Sequence, residues 1–172
     1  MKITYSLLIS FLIVASFTSC NVKGFFVKPS DEPQWVDPNP PPKGGVVAEL
    51  TGEKVFKSKC AACHQTNGKG LPGSYPPLVA SKLLNSEATI SIRIVLHGIQ
   101  GQIVREGLTY NGAMTPHKDI LNDLEIADVL TYSRSQWGNT GTAVTEDVVK
   151  TVREKTAAQA TSYSESDLTK PL

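Results

Sequence analysis

Sulfur-containing side chains are scarce in this chain of 172 residues, which has three cysteines and two methionines. Aromatic residues make up 7% of the chain and hydrophobic residues 40%, which supports one small core and argues against a large one. The formal net charge of +1 excludes a general nucleic-acid-binding protein, because such a protein needs a strongly basic face. The apolar run from Leu7 to Phe17 is too short to span a bilayer as a helix. The chain therefore predicts one domain of ordinary size with tails.

Two of the cysteines stand in the pentapeptide Cys60-Ala61-Ala62-Cys63-His64. A Cys-x-x-Cys-His sequence is the attachment signature of a c-type haem. Each thiol can add to one vinyl group of the porphyrin, and the adjacent imidazole then lies beneath the iron as its proximal ligand. The motif predicts one covalent haem c, attached at Cys60 and Cys63 and bound through its iron by His64.

A Cys-x-x-Cys pair also occurs in zinc sites and in thioredoxin-like redox proteins. A structural zinc site needs four ligands, and the sequence has no second Cys-x-x-Cys and no closely spaced pair of histidines. A redox pair is expected next to a βαβ pattern, which this sequence lacks. The sequence therefore favours haem, whereas a lipoprotein that exchanges thiols would carry no haem and would have two free thiols after mild reduction.

Met114 is the candidate distal ligand of the iron. Apart from the initiator it is the only methionine, and it lies in a loop between Asn111-Gly112 and Pro116, outside any amphipathic stripe. This position favours a ligand over the core-filling role that methionine usually has. His/Met ligation fills the sixth position and raises the reduction potential. His97 and His117 are the rival distal ligands, and a labile sixth position would instead indicate a gas sensor or a peroxidase.

The N-terminal part of the chain is typical of an exported protein. Residues 1–19 contain a positive Lys2 followed by the apolar run, as in a signal peptide. The run ends in the sequence FTSC, which resembles a bacterial lipoprotein box, although Phe17 departs from the usual aliphatic residue and leaves ordinary signal cleavage open. Cys20 is therefore predicted to carry lipid and to anchor the protein on the periplasmic side of a bacterial membrane. Residues 20–45 hold six of the eleven prolines and predict an extended tether.

The folded domain is predicted to cover residues 46–155. Its first helix, near Val47 to Cys60, carries Gly52 and Phe56 on one face. The carbonyl of Pro76 or Pro77 is expected to accept the Nδ1 hydrogen of the haem-binding histidine. The other expected elements are a helix that Ser86 opens and His97 ends, a hairpin from Gly101 to Tyr110, a helix capped by Asn122 and Glu125, and a short helix from Thr145.

The last residues, 156–172, are predicted to be a disordered tail, because most of them are serine, threonine, alanine or charged residues.

Together these features resemble a class I cytochrome c over roughly residues 50 to 137. The resemblance implies an all-α fold around a buried haem with one exposed edge, with a short hairpin before the methionine loop. It also implies thioethers at Cys60 and Cys63, axial ligation by His64 and Met114, and a crossing of the first and last helices through Gly52, Phe56 and Tyr132. Thr115 stands where many relatives have proline, which weakens the match of the loop.

The function implied is outer-sphere electron transfer by a protein that is not itself an enzyme. Such domains act as carriers or as cytochrome subunits in periplasmic respiratory chains. The expected partners are a dehydrogenase, a terminal oxidase or a reductase, together with a membrane contacted through the lipid anchor.

Overall fold

The computed structural model describes residues 46–172. The predicted signal segment, residues 1–19, and the predicted tether, residues 20–45, lie outside this range. Within it are six α-helices and one two-stranded hairpin: α1 Val46–Lys59, α2 Ala61–His64, α3 Lys82–Asn85, α4 Ala88–His97, β1 Ile103–Arg105, β2 Leu108–Tyr110, α5 Asp123–Ser135 and α6 Glu146–Lys155, followed by a 3₁₀ helix, Asp167–Thr169. No helix of the described part is long and apolar enough to cross a membrane. The predicted mainly helical fold with a short hairpin is confirmed.

Helix α1 crosses α5 at the position that the family resemblance implies. A Cβ atom on Gly52 would overlap the carbonyl oxygen of Asp128 and would lie 2.8 Å from Cβ of Tyr132, so the two helices meet where α1 has no side chain. Phe56 is 1% exposed, and its ring centroid lies 5.7 Å from that of Tyr132 and 4.9 Å from that of Trp137. The crossing places the end of α1, and with it the haem-binding motif, against the core.

The hairpin and the start of α5 also agree with the sequence. Ile103 pairs with Tyr110 in an antiparallel register, and Glu106 and Gly107 both have positive φ, as in the two-residue turns that match strand twist. Asn122 and Glu125 form the predicted capping box, in which each side chain accepts from the other residue's backbone N–H at 2.9 Å. These elements could be predicted because short local contacts determine them.

The predicted role of Ser86 at the start of α4 is wrong. Helix α4 begins at Ala88 after Glu87, which makes no side-chain cap. Ser86 instead ends the preceding short helix α3, and its hydroxyl donates to the Leu83 carbonyl at 2.7 Å. The sequence prediction missed α3, a helix of four residues, so it assigned Ser86 to the wrong neighbour.

The structure also differs from the prediction of a disordered tail at residues 156–172. Helix α6 starts after Thr145, as predicted, but the chain beyond it packs on the domain. Tyr163 and Leu168 are 8% and 2% exposed and belong to an apolar cluster with Ile99, Ile103 and Tyr110. Composition alone misjudged this segment, because two well-placed apolar side chains are enough to bury it against a cluster that is already formed.

Candidate functional site

The candidate site is a cavity of about 370 Å³ at the end of α1, within the range of about 300–1,000 Å³ that is usual for ligand and cofactor sites. The structure brings Cys60, Cys63, His64 and Met114 together in its lining. Most of the remaining lining is apolar and comes from α1, α3, α4, the hairpin, α5 and the loops between them, including Phe56, Leu84, Ile94, Ile99, Leu121, Val129 and Leu130. A cavity of this kind suits a large apolar group that is tethered at one wall.

The two cysteines are placed for attachment. Cys60 follows α1 directly and Cys63 lies in the short helix α2, and the two thiols are not joined to each other. Burial, with a smaller effect from Cys63, raises the pKa of the Cys60 thiol to about 11. Cysteines that exchange disulfides have lowered thiol pKa values, so this environment disfavours the thiol–disulfide alternative.

The ring of His64 is oriented by the backbone that follows it. Its Nδ1 lies 3.2 Å from the carbonyl oxygen of Pro76, so Nδ1 donates and Nε2 keeps its lone pair for a metal. Burial lowers the pKa of His64, and the Pro76 carbonyl partly offsets this, so the ring is neutral, the form that binds metals. The prediction of a carbonyl from Pro76 or Pro77 is confirmed for Pro76.

The loop that carries Pro76 depends on one glycine. Gly70 has a φ of 63°, and a Cβ atom there would overlap the Tyr75 carbonyl oxygen. Its N–H donates to the His64 carbonyl at 3.0 Å. The close return of the chain past Gly70 therefore holds the Pro76 carbonyl within reach of the histidine ring.

The three candidate distal ligands lie in different places. Met114 is half-buried in the cavity lining, and its N–H donates to the Ile99 carbonyl at 2.8 Å. His97 is 4% exposed, lies outside the lining, and its Nε2 lies 2.8 Å from Oγ1 of Thr156. His117 does line the cavity, with its Nδ1 2.8 Å from the Thr115 carbonyl oxygen. The geometry thus removes His97 from the predicted alternatives and keeps Met114 and His117.

Arg105 is a lining residue that the sequence did not single out. It lies at the end of β1, and its guanidinium pairs with the Glu165 carboxylate at 2.5 Å. Arg105 lies within the predicted hairpin from Gly101 to Tyr110, and nothing in the sequence pattern distinguishes it from the other basic residues. As a cation on the cavity wall, it is a suitable partner for an acidic group of a bound cofactor.

Comparison with known proteins gives matches over the same part of the chain. A family model described as cytochrome c matches residues 50–137. Cytochrome c-552 of Thermus thermophilus is 40% identical over 100 residues, which cover 56% of this chain and 66% of that protein. The cytochrome c subunit of a quinone alcohol dehydrogenase from Gluconacetobacter polyoxogenes is 30% identical over 110 residues, which cover 62% of this chain and 23% of that subunit. The fructose dehydrogenase cytochrome subunit of Gluconobacter japonicus is 32% identical over 111 residues, which cover 59% and 22% respectively.

The chain thus spans about two thirds of the Thermus protein and under a quarter of the two dehydrogenase subunits. The family match extends over just over half of this chain and contains the pentapeptide from Cys60 to His64 as well as Met114. The two free thiols, the oriented imidazole and the apolar cavity fit the cofactor of that family. The chain therefore belongs to the cytochrome c family, whose members transfer electrons, and its cofactor is one covalently bound haem c.

Proposed function

We propose that this protein is an electron carrier in which His64 and Met114 are the two axial ligands of the haem iron. The supporting observation is that one cavity is lined both by the attachment motif and by the methionine. Haem supplies a one-electron iron couple when it is bound. The side chains of this protein hold that group and control what else can reach it.

Each site residue has a distinct task in this proposal. Cys60 and Cys63 would hold the porphyrin by two covalent bonds and so keep the cofactor in the cavity. His64, oriented by the Pro76 carbonyl, presents a neutral Nε2 to the iron. Met114 occupies the remaining axial position and excludes small ligands from it. A thioether in that position raises the reduction potential relative to other axial sets.

The apolar lining of the cavity supports electron transfer in which no bond is made or broken. Phe56, Leu130 and similar apolar side chains form much of the cavity wall and offer water few polar partners, so we expect little solvent to reorganise there when the charge changes. Rigid packing of Phe56 between Tyr132 and Trp137 holds the wall in place. A carrier needs this kind of site, since it binds no substrate and makes no bond.

The first prediction concerns the ligand. Met114→Ala is expected to abolish the methionine-to-iron(III) charge-transfer band and to allow carbon monoxide to bind the reduced protein promptly, because the sixth position is then open. Absorption spectra of the oxidised and reduced holoprotein, with carbon monoxide added last, measure both effects. His117→Ala is the matched control, since His117 lines the same cavity, and it is expected to keep the band.

Two outcomes would contradict this assignment. A band that survives in Met114→Ala would exclude the methionine as ligand. Prompt carbon monoxide binding by the unmodified protein would overturn the closed carrier and would favour the alternative of a gas sensor or a peroxidase.

The proposal extends to location and partners. The apolar run from Leu7 to Phe17, and Cys20 three residues after its end, support export and a lipid anchor on the periplasmic side of a membrane. Relatives that are named cytochrome subunits of alcohol and fructose dehydrogenases support a dehydrogenase as one redox partner. A terminal oxidase or reductase is the corresponding partner that accepts the electron.

The second prediction tests the anchor and the partner together. Cys20→Ser is expected to move the haem-stained protein from the membrane fraction to the soluble fraction, because the lipid acceptor is lost. The unmodified protein, solubilised from membranes with detergent, is expected to co-purify with a dehydrogenase that reduces its haem. Membrane retention of Cys20→Ser at the unmodified level would rule out lipid at this residue.

A further inference from the structure

The backbone at Ile99 is bridged to Met114 on one side and to Tyr163 on the other. The N–H of Met114 donates to the Ile99 carbonyl at 2.8 Å. The N–H of Tyr163 donates to the Gly98 carbonyl at 3.2 Å, and its carbonyl accepts from Gln100 N–H at 2.8 Å. One short stretch of chain therefore holds the candidate ligand loop along one edge and the C-terminal segment along the other.

Gly98 permits this close approach. Its φ is 77°, and a Cβ atom there would overlap the Met114 carbonyl oxygen and would lie 2.9 Å from Oγ of Ser162. The methionine loop and the C-terminal segment thus both come within van der Waals contact of the same backbone position.

The C-terminal segment is fastened to the domain by a buried arginine. Arg93 of α4 is 5% exposed and donates to the carbonyl oxygens of Leu168 at 2.8 Å and Lys170 at 3.2 Å. Its guanidinium carbon lies 5.6 Å from the centroid of the Tyr163 ring, within the range of a cation–π contact. We call residues 161–170 the C-terminal brace.

Two further contacts link the C-terminal brace to the cavity wall. Glu165 pairs with Arg105, which lines the cavity. Tyr163 and Leu168 share an apolar cluster against which the side chain of Met114 packs. The family match ends at residue 137, so the C-terminal brace lies in a part of the chain that the match does not cover.

We propose that the C-terminal brace is a positioning segment that holds the Met114 loop against the cavity and so decides how firmly the sixth position is closed. This inference rests on the proposed ligation by Met114. The loop residues 111–113 and 115–116 are exposed, so packing of their own side chains restrains them little. The backbone of Ile99 and the apolar cluster beneath the loop supply that restraint. The C-terminal brace contributes to both, because Tyr163 pairs with the Ile99 backbone and Tyr163 and Leu168 belong to the cluster.

The physical basis is a population shift. Imidazole added from solution binds only molecules in which Met114 has left the iron. Its apparent affinity therefore scales with the fraction of molecules in which the loop is displaced. A weakened C-terminal brace raises this fraction and tightens imidazole binding. No residue of the C-terminal brace lines the cavity, so it acts through Arg105 and through the apolar cluster that it shares with Met114. A segment that serves only overall stability would leave this affinity unchanged.

The test is a titration of the oxidised holoprotein with imidazole, monitored by the main haem absorption band, which every variant shares. Loss of the charge-transfer band is a second readout in the variants that keep Met114. Leu168→Ala removes a side chain that is 2% exposed and lies outside the cavity lining. It is expected to tighten imidazole binding by at least about fivefold, the lower end of typical coupling between sites. Glu165→Gln, a milder change in the same segment, is expected to act in the same direction and serves if Leu168→Ala does not fold.

Val149→Ala is the matched control. Val149 is fully buried in α6, in a cluster separate from that of Met114, and it also lies outside the cavity lining. It is expected to lower the free energy of unfolding while leaving imidazole affinity at the unmodified value. Equal tightening in Leu168→Ala and Val149→Ala would overturn the positioning role, as would no tightening in the brace variants.

Met114→Ala separates this inference from the proposal on which it rests. If Met114→Ala binds imidazole more tightly than the unmodified protein but the brace variants do not, only the positioning role fails. If Met114→Ala binds no more tightly than the unmodified protein, the ligand assignment fails and the positioning role fails with it.

Discussion

Arg134→Met is expected to lower the free energy of unfolding by about 3–5 kcal/mol, because it leaves one buried and two partly buried carbonyl oxygens without this donor, each costing about 1–3 kcal/mol. Arg134 lies at the end of α5 and is 2% exposed. Its guanidinium donates to the carbonyls of Leu84, Ser86 and Thr142, and thus joins α3, the residue that ends α3 and the loop after α5. Burial lowers the pKa of Arg134.

Chemical denaturation of the holoprotein, followed by circular dichroism, measures the effect. Methionine is chosen because it keeps most of the apolar stem and removes the donors. Lys57→Met is the control on the surface, where Lys57 forms an exposed pair with Glu53, and it is expected to cause no measurable loss. A loss in Arg134→Met no larger than that of the control would show that the three carbonyls find other donors.

Gly52→Ala is the second substitution with a large expected effect. Alanine is favoured over glycine in a helix by about 1 kcal/mol, so α1 alone would gain stability. The new Cβ atom would overlap the Asp128 carbonyl oxygen, which is backbone and cannot move aside as a side chain can. Overpacking against backbone is expected to cost about 3 kcal/mol, the upper end of the usual range, so the net loss is expected to be about 2 kcal/mol.

The control for Gly52→Ala is Gly73→Ala. Gly73 lies in a loop with a φ of 74°, and nothing lies within 4 Å of a Cβ atom there. That variant has only the cost of a left-handed backbone, about 1 kcal/mol. Denaturation that ranks Gly52→Ala as the milder of the two would contradict the close crossing of α1 and α5.

The features that the sequence predicted well are those that neighbouring residues determine. Asn122 and Glu125 are three residues apart and complete each other's hydrogen bonds. His64 and Pro76 are separated by one loop, and the choice lay between two adjacent prolines. The spacing of Gly52 and Phe56 determines which face of α1 meets α5.

The features that the sequence did not predict depend on distant contacts. Tyr163 is buried because Ile99 offers a free backbone edge, and no pattern near Tyr163 records that edge. Arg105 became a cavity residue only once the hairpin was placed beside the methionine loop. The predicted role of Ser86 was wrong for a different reason. A helix as short as α3 has no measurable hydrophobic periodicity, so the sequence gives no sign that a helix ends at Ser86.

The two halves of the haem site are built from contacts of very different range along the chain. The contact that orients His64 spans 12 residues, whereas the contact of Arg93 with the Leu168 carbonyl spans 75. Closing the longer loop costs about 1.6 kcal/mol more in chain entropy. The local contacts that shape the attachment wall therefore form at the smaller entropic cost. In the proposed arrangement the C-terminal segment supports the opposite side, so the order of assembly follows the range of these contacts along the chain.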